Sequence, residues 1–212
     1  EMCVECGACR AACPFGAIDE RSSIVPVIMS IKTGSKVIAM VAPSIVGQFG
    51  LKVKADQIYT ALKMAGFADV VEVAIGADIV SVEEAEEYIE KVPEKQPFMT
   101  SSCCPAFVNI VKKYVPDAAD KVSHTVSPMV ATGRWLKEQY PDATTVFIGP
   151  CIAKKGEAKG YPEYIDYVLT FEEAMCLMEG KDIKVENVEA TEFERDGSKV
   201  GLGFPLAAGV TA

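Results

Sequence analysis

Lys36-Val-Ile-Ala-Met-Val-Ala-Pro-Ser44 begins with an apolar run and ends in a proline and a serine. An apolar run without alternating polar residues is typical of a strand that is buried on both faces of a parallel sheet. From Val25 onward, such runs alternate with amphipathic segments, as in successive βαβ units. The sequence therefore predicts an α/β fold, with a largely parallel sheet and flanking helices.

The same pattern places the elements of this sheet domain. Strands are predicted over residues 36–42, 70–75, 97–100, 144–148 and 167–169. Helices are predicted over residues 55–65, 82–92, 106–114, 128–139 and 171–178. Ser81 followed by Glu84 has the spacing of a capping box at a helix start. The charged stretch 181–199 is predicted to form a hairpin or a long excursion around Asp196-Gly197.

A cysteine-dense segment precedes the sheet domain. Cys3, Cys6, Cys9 and Cys13 follow the spacing C-x2-C-x2-C-x3-C, and Pro14 comes next. Thiolates at this spacing can bind three corners of an iron–sulfur cube, and the run resembles the cluster-binding signature of bacterial ferredoxins. We therefore expect two domains. A ferredoxin-like [4Fe–4S] module over residues 1–24 would carry single electrons, and a larger domain would cover residues 25–212.

The last cysteine of the run has two interpretations. In two-cluster ferredoxins it binds the other cluster, so Cys13 either binds a second cluster or completes a single one. Nothing downstream supplies a matching run, and the chain begins at Glu1, so we expect an upstream half to be absent from this sequence. A structural zinc site and disulfides are weaker alternatives. Zinc motifs usually come as two separated C-x2-C pairs, and disulfide scaffolds are small and secreted.

The composition argues against several classes of function. The 212 residues carry 30 acidic and 21 basic side chains, with a net charge of -9 and no basic run, so nucleic acid is not an expected partner. No stretch approaches the roughly 20 apolar residues that cross a bilayer. Eight cysteines, four of them at cluster spacing, fit reduced ligands better than disulfides, and we therefore expect a cytoplasmic protein.

Three loops that follow predicted strands carry the other candidate groups. They are Ala42-Pro43-Ser44, Ser101-Ser-Cys-Cys-Pro105 and Gly149-Pro-Cys-Ile-Ala-Lys-Lys155. Loops at the carboxyl ends of parallel strands meet at one edge of the sheet, where α/β proteins bind their ligands. We therefore expect a single pocket, whose chemical groups are Cys103, Cys104, Cys151 and Lys154.

Adjacent thiols at Cys103 and Cys104 point in different directions, so we expect one to bind metal and the other to have another role. The alternative is a pair of buried structural cysteines. Lys154 needs an anion if it faces the pocket, because a buried ammonium without a partner is costly. Otherwise it is a solvated loop lysine, an interpretation that fits Lys155 better. Cys176 has no other ligand close in sequence and is interpreted as a core residue.

Two segments of the chain resemble a known family. Thr100-Ser-Ser-Cys-Cys-Pro-Ala-Phe107 and Gly149-Pro-Cys-Ile-Ala-Lys-Lys-Gly-Glu157 resemble the first two active-site motifs of [FeFe]-hydrogenases, the iron-only hydrogenases. The cysteine run stands where that family carries its accessory clusters. The resemblance extends over nearly the whole chain, through segments 41–44, 82–85, 127–128 and 204–210.

The resemblance implies an oxidoreductase that interconverts H2 with protons and electrons. Its cofactor would be a buried six-iron cluster, in which a cysteine joins a [4Fe–4S] cube to a two-iron unit with carbonyl, cyanide and a bridging dithiolate amine. Protons and H2 would be the substrates, and a ferredoxin or another electron-transfer protein would be the partner.

The resemblance also implies roles for individual residues. Cys104 and Cys151 would bind the cube, and Cys103 would pass a proton to and from the bridging amine. Lys154 would hold a cyanide ligand. The residues that would contact the cofactor are Pro43, Ser44, Pro128 and Lys154.

A buried site that handles protons needs titratable groups within reach of one another. Glu84 and Glu87 lie three residues apart, on one face of a predicted helix. By the family pattern they would form, with Ser123 and Cys103, a relay to solvent. The alternative is that residues 83–90 are only a solvated acidic face. His124, the only histidine, is assigned no role.

The family's third active-site motif has no counterpart in this sequence. Relatives continue into that motif beyond the point where this chain stops, so we expect a truncated polypeptide with an incomplete six-iron centre that is inactive alone. The doubled serine Ser101-Ser102 and Gly149 depart from the family pattern and indicate a divergent subgroup. Two other functions therefore stay open: a non-catalytic iron–sulfur scaffold or assembly factor, and a sensor of H2 or redox state.

Overall fold

The computed structural model describes residues 2–191, 193 and 197–206. Its helices and strands are, in chain order, α1 (Ala8–Ala12), α2 (Ile24–Lys32), β1 (Val37–Val41), α3 (Ala55–Met64), β2 (Asp69–Glu72), α4 (Ala74–Lys91), α5 (Pro105–Tyr114), α6 (Pro128–Gln139), β3 (Thr144–Gly149), α7 (Ala153–Ala158), β4 (Tyr167–Thr170), α8 (Phe171–Glu179) and α9 (Lys199–Gly203). Short 3-10 turns cover Pro43–Ile45, Pro116–Lys121 and Val185–Asn187. No helix in these ranges has both the length and the apolar composition that crossing a bilayer requires.

The strands of the described residues form one parallel sheet in the order β2-β1-β3-β4. Val41, at the end of β1, pairs with Glu72 of β2 and with Ile148 of β3, so the carboxyl ends of neighbouring strands lie side by side. Every residue of β1 is buried, as expected for a central strand with both faces covered. The predicted α/β fold with a parallel sheet is confirmed.

The strand predicted over residues 97–100 is wrong. Thr100 makes only an isolated parallel bridge with Val122, in which its N–H donates to the carbonyl of Lys121 at 2.9 Å and its carbonyl accepts from Ser123 at 2.8 Å. Pro97 has no N–H to donate to a strand ladder, which disfavours a central strand here. The loop with Cys103 is therefore held beside residues 121–123 and not at the end of a strand of the sheet.

The start of α4 and the presence of α2 also differ from the prediction. Helix α4 begins at Ala74, two turns before the expected start, and Ser81 lies inside it and donates to the carbonyl of Ala77 at 2.8 Å. The capping box predicted at Ser81 is therefore wrong. Helix α2, which contains Pro26, was not predicted. This proline lies in the first turn, where the helix makes no use of the N–H.

The predicted hairpin has its centre at Asp196, which lies outside the described residues. Within the described part of the stretch 181–199, the structure has the 3-10 turn Val185–Asn187 and the start of α9.

Helices α4 and α6 approach each other closely. A Cβ atom at Gly76 of α4 would lie 2.2 Å from the carbonyl oxygen of Pro128, the first residue of α6, and 2.3 Å from the hydroxyl of Thr132. Only glycine allows this contact without a backbone shift. The contact fixes α4, which carries Glu84 and Glu87, against the start of α6 and the loop before it.

Candidate active site

The N-terminal cysteine run spans α1. Cys3, Cys6 and Cys9 are exposed, Cys13 is half-buried, and all four are free thiols. Backbone hydrogen bonds, with the largest effect from Phe15, lower the pKa of the Cys13 thiol. The thiolate is the form that binds metal, so the backbone around Cys13 suits a cluster ligand.

The cysteine run is held against α5 through its main-chain carbonyls. The Tyr114 hydroxyl donates to the carbonyl of Met2 at 2.9 Å, and the Lys113 ammonium donates to the carbonyl of Cys3. Helix α5 begins directly after Cys104. The N-terminal segment is thus fixed to the helix that follows one of the predicted cube ligands.

The same segment contacts the residues that follow the other predicted cube ligand, Cys151. A Cβ atom at Gly7 would lie 3.0 Å from Cδ1 of Ile152, and one at Gly156 would lie 1.8 Å from a carboxylate oxygen of Glu5. Each glycine thus marks a close approach between the cysteine run and the segment after β3. The arrangement places the N-terminal motif directly beside the Cys151 segment.

The cysteines predicted to bind the cube lie in two loops, each of which leads into a helix. Cys104 is exposed at the N-terminal cap of α5, and Cys151 is half-buried after β3. Helices α5 and α7, which follow these loops, pack against each other.

The other predicted contacts to the cofactor lie at turns. Pro43 and Ser44 are half-buried in the 3-10 turn that follows β1, and the N–H of Ala42 donates to the carbonyl of Ile148 at 2.9 Å. This turn therefore lies beside the end of β3. Pro128 is half-buried at the start of α6.

Lys154 joins the two motif loops. Its side chain is buried, and its ammonium donates to the carbonyl of Cys103 at 3.0 Å and to Oε2 of Glu157 at 2.6 Å. A buried lysine was expected to need an anion, and Glu157 supplies one. The sequence signal for this pair is its i,i+3 spacing on a helix.

Cys103 and Cys104 have different surroundings. Cys103 is half-buried, and burial raises the pKa of its thiol. The hydroxyl of Ser101 lies 3.7 Å from the Cys103 sulfur, within hydrogen-bonding distance for sulfur. Cys103 therefore keeps its proton at neutral pH, whereas Cys104 is open to solvent. The two thiols therefore lie in different surroundings, and their separate roles stay a prediction.

Glu84 and Glu87 face a buried serine. Burial raises the pKa of Glu84, while the Ser102 N–H, which donates to its Oε1 at 3.1 Å, and the Ser123 hydroxyl oppose the rise. Ser123 is itself buried and donates to Oε2 of Glu87 at 2.5 Å. The interpretation of both glutamates as a solvated acidic face is therefore wrong. It holds for Glu83, Glu86 and Glu90, which are exposed.

Glu87 is surrounded by hydrogen-bond donors. Burial alone would raise its pKa, but hydrogen bonds from Lys91, Ser123 and His124 outweigh burial and lower the pKa to about 2. Lys91 donates to Oε1 at 2.6 Å, and Nδ1 of His124 lies 2.8 Å from the same oxygen. The i,i+4 spacing of Glu87 and Lys91 is visible in the sequence. The contact with His124 comes from a distant loop and has no local sequence signal.

Two expectations about single side chains are wrong. Cys176 is exposed and not in the core. Helix α8 buries residues 171, 173, 174, 177 and 178, and Cys176 lies on its other face. Lys155 is not solvated, because its ammonium donates to Glu173 at 2.9 Å and to the carbonyl of Arg21 at 3.2 Å. Lys155 thus ties the segment after the cysteine run to α8.

The side chains present suit an anionic iron–sulfur group. Within the described ranges, no three His, Cys, Asp or Glu side chains are arranged to hold a single metal ion. The cysteines around an iron–sulfur cube bind different iron atoms, so they need not converge on one point. The thiols of Cys13, Cys104 and Cys151 are free. Lys154, three residues after Cys151, adds a buried ammonium, and this set of side chains fits an iron–sulfur group.

Comparison with known proteins identifies the family. The sequence model of one protein family, described as the iron-only hydrogenase large subunit, C-terminal domain, matches residues 35–212 of the chain. The chain belongs to the iron-only hydrogenase family. A 4Fe-4S binding domain matches residues 1–19 of this iron-only hydrogenase chain.

Curated relatives of the iron-only hydrogenase chain include enzymes and an assembly factor. It is 32% identical over 224 residues to iron hydrogenase 1 of Clostridium pasteurianum, with 93% of the chain and 39% of that protein covered. It is 31% identical over 91 residues to the cytosolic Fe–S cluster assembly factor NAR1 of Kluyveromyces lactis. That match covers 42% of the chain and 19% of NAR1. The chain thus spans about two fifths of the length of the curated hydrogenase.

Solved structures share the fold. An [FeFe]-hydrogenase from Chlamydomonas reinhardtii superposes with a TM-score of 0.74 at 22% identity, over 82% of this chain and 51% of that one. The iron–sulfur cofactors predicted from the sequence agree with these matches. A [4Fe–4S] cluster belongs to the N-terminal motif, and the six-iron cluster is the cofactor of the iron-only hydrogenase domain.

Proposed function

We propose that this iron-only hydrogenase chain contributes the electron entry and the proton route of an enzyme that catalyses 2H⁺ + 2e⁻ ⇌ H2. The six-iron cluster would supply the metal chemistry. The residues of this chain would bind it, deliver electrons one at a time through the N-terminal cluster, and move protons between Cys103 and solvent.

The observation that carries the proposal is the series of polar groups between Cys103 and the surface. Glu84 accepts from the N–H of Ser102, next to Cys103, at 3.1 Å, and its carboxyl also interacts with Ser123. Ser123 then donates to Glu87 at 2.5 Å. A half-buried thiol next to Ser102, a buried carboxyl, a hydroxyl and a second carboxylate thus follow one another toward the surface, which supports a proton route.

The two carboxyl groups are suited to different steps. Burial raises the pKa of Glu84, so this residue takes up a proton more readily than an exposed glutamate would. The pKa of Glu87 is lowered to about 2, so at neutral pH it is an anion that attracts protons from the surface. A hydroxyl such as that of Ser123 both donates and accepts, and it can pass a proton between them.

The remaining site residues are proposed as ligands and contacts of the six-iron cluster. Cys104 and Cys151 would bind the cube from their loops on α5 and α7. Lys154, buried and already a donor to the Cys103 carbonyl, would also face an anionic ligand of the cluster. The residues proposed to contact the cluster from the neighbouring turns are Pro43, Ser44 and Pro128.

Electrons would enter through the cluster held by Cys3, Cys6, Cys9 and Cys13. This segment lies against Ile152, next to Cys151, so clusters bound by the two cysteine segments would be close neighbours. The proposed partner is a ferredoxin or another electron-transfer protein, and the proposed compartment is the cytoplasm.

A second candidate function is an iron–sulfur scaffold or assembly factor. The similarity to the assembly factor NAR1 favours it. A scaffold, however, has no need of a protonated thiol beside a carboxyl series. The environments of Cys103 and Glu84 therefore support the enzyme over the scaffold.

Anaerobic reconstitution of the full-length protein with iron, sulfide and a synthetic two-iron complex tests the proposal. Infrared spectroscopy should then show metal-bound carbonyl and cyanide bands, and the protein should turn over H2. A protein that binds cubes but shows neither bands nor turnover is a scaffold.

A further inference from the structure

His124 lies over Glu87 at the surface of the iron-only hydrogenase chain. Its side chain is 74% exposed, and Nδ1 lies 2.8 Å from Oε1 of Glu87. The main-chain N–H of His124 donates to both oxygens of the same carboxylate, at 3.1 Å each. The backbone of His124 is thus fixed on Glu87 while the imidazole remains in contact with water.

Lys91 competes with the imidazole for the same carboxylate oxygen. Its ammonium lies 2.6 Å from Oε1 of Glu87 and 2.8 Å from Nδ1 of His124. Nδ1 cannot donate to Glu87 and accept from Lys91 at once. When Nδ1 carries a proton, it donates to Glu87 and repels the ammonium. When Nδ1 has none, it accepts from Lys91.

His124 lies between the solvent and the polar groups behind Glu87. In the described part of the chain, the charged groups that contact His124 are Glu87 and Lys91, both on α4. Behind Glu87 lies the Ser123 hydroxyl, and behind Ser123 lies the carboxyl of Glu84. The imidazole is therefore the solvent-side end of the polar series that begins at Cys103.

We propose that His124 is the group that exchanges protons between solvent and the relay, an inference that rests on the proposed function. Histidine is the side chain that most often transfers protons as a general acid or base, and this imidazole is open to water on one side and in contact with Glu87 on the other. In the inward direction, the imidazolium ring gives its Nδ1 proton to Oε1 of Glu87 and becomes neutral, and it then takes up another proton from the solvent. No electron moves in this step, and the outward direction is its reverse.

The decisive variant is His124→Gln in the reconstituted full-length holoprotein. Glutamine keeps an N–H donor for Glu87 but cannot carry a proton. We expect turnover near neutral pH to fall by about 100-fold, the lower end of general acid–base contributions. Added free imidazole should restore the rate of the variant and leave the wild type unchanged. Glu86→Gln, an exposed neighbour on α4, is the matched control and should match the wild type with and without imidazole.

A second readout needs no active cofactor. Nitrogen-15 NMR of the apo protein should show that the Nδ1 signal of His124, assigned by its loss in His124→Gln, moves in Glu87→Gln and not in Glu86→Gln. A signal that is insensitive to Glu87→Gln overturns the contact.

The outcomes separate the two proposals. An active wild type whose His124→Gln variant keeps the same rate and pH profile, or loses rate that imidazole does not restore, overturns the role of His124 alone. A reconstituted wild type without H2 turnover overturns the proposed function, and the proton-exchange role falls with it.

Discussion

The ammonium of Lys154 donates to the main-chain carbonyl of Cys103 at 3.0 Å and joins two loops that lie 51 residues apart in the sequence. The same ammonium is paired with Glu157 at 2.6 Å, in surroundings that leave both side chains mostly buried. A single lysine therefore holds the position of the Cys103 loop and compensates a buried carboxylate.

Replacing this lysine should destabilise the protein strongly. Lys154→Met leaves Glu157 buried without its partner, and removing one member of a buried pair typically costs about 3–5 kcal/mol. The free energy of unfolding, measured by urea denaturation, is the readout. Lys154→Met with Glu157→Gln should recover much of the loss, because the uncompensated charge is then gone. Lys159→Met, at an exposed position beside the same helix, serves as the control. A double variant as unstable as the single one would show that the loss does not come from Glu157.

Replacing Cys103 and replacing Cys104 should have different effects on iron content and on H2 turnover. Cys103→Ala should retain the iron content of the holoprotein and abolish H2 turnover, because it removes a protonated thiol. Cys104→Ala should lower the iron content. Iron analysis and turnover are measured on both, with the exposed Cys176→Ala as the control. If Cys103→Ala turns over H2 at the wild-type rate, the thiol has no part in proton transfer.

Glu84→Gln should slow turnover without loss of iron. In the proposed relay, the buried carboxyl of Glu84 would carry the proton between Ser123 and the Cys103 loop, and general acid–base groups typically contribute about 100-fold or more. Turnover and iron content are compared with Glu83→Gln, which removes an exposed carboxylate one residue away. An equal effect of the two variants would assign the loss to surface charge.

Glu87 should make the free energy of unfolding depend on pH. Its folded pKa of about 2 lies below the ordinary value of 4.5, so folding favours the ionised form. This contribution to stability is complete above about pH 4.5 and is lost as the pH falls toward 2. The difference in unfolding free energy between wild type and Glu87→Gln should therefore be greatest near neutral pH and shrink in acid. Glu86→Gln separates this effect from a general loss of negative charge, and a difference that stays constant with pH would contradict the assignment.

Gly76→Ala should destabilise the contact between α4 and α6. Alanine is the better helix former by about 1 kcal/mol. Its Cβ, however, would lie 2.2 Å from the Pro128 carbonyl, which forces the two helices apart. Overpacking of this kind typically costs about 1–3 kcal/mol, so a net loss is expected. Thermal unfolding is compared with Gly203→Ala, where a Cβ would meet no atom within 4 Å. A higher melting temperature for Gly76→Ala would show that the helices can separate freely.

The parts of the fold that follow from local pattern were predictable. Strand β1 is a continuous apolar run that is buried along its whole length, and the sequence pattern placed it within one residue at each end. Glu84 and Glu87 were placed on one helix face by their spacing. These features depend on residues that are close together along the chain.

The features that were not predicted depend on contacts between distant segments. Residues 97–100 resemble a strand, but Lys121 and Ser123 take the hydrogen bonds of Thr100. Lys155 follows a pattern typical of solvated loops, yet Glu173 lies beside it after folding. Likewise, nothing near His124 in the sequence indicates that its imidazole reaches Glu87.

Tyr114 and Lys113 of α5 hold the N-terminal segment by donating hydrogen bonds to the carbonyls of Met2 and Cys3. Every amino acid presents the same carbonyl, so these two hydrogen bonds do not depend on the side chains of Met2 and Cys3. Substitutions at other positions of the cysteine run therefore change the surroundings of the cluster while these two hydrogen bonds keep the segment on α5. Gly7 is an exception, because a side chain there would meet Ile152.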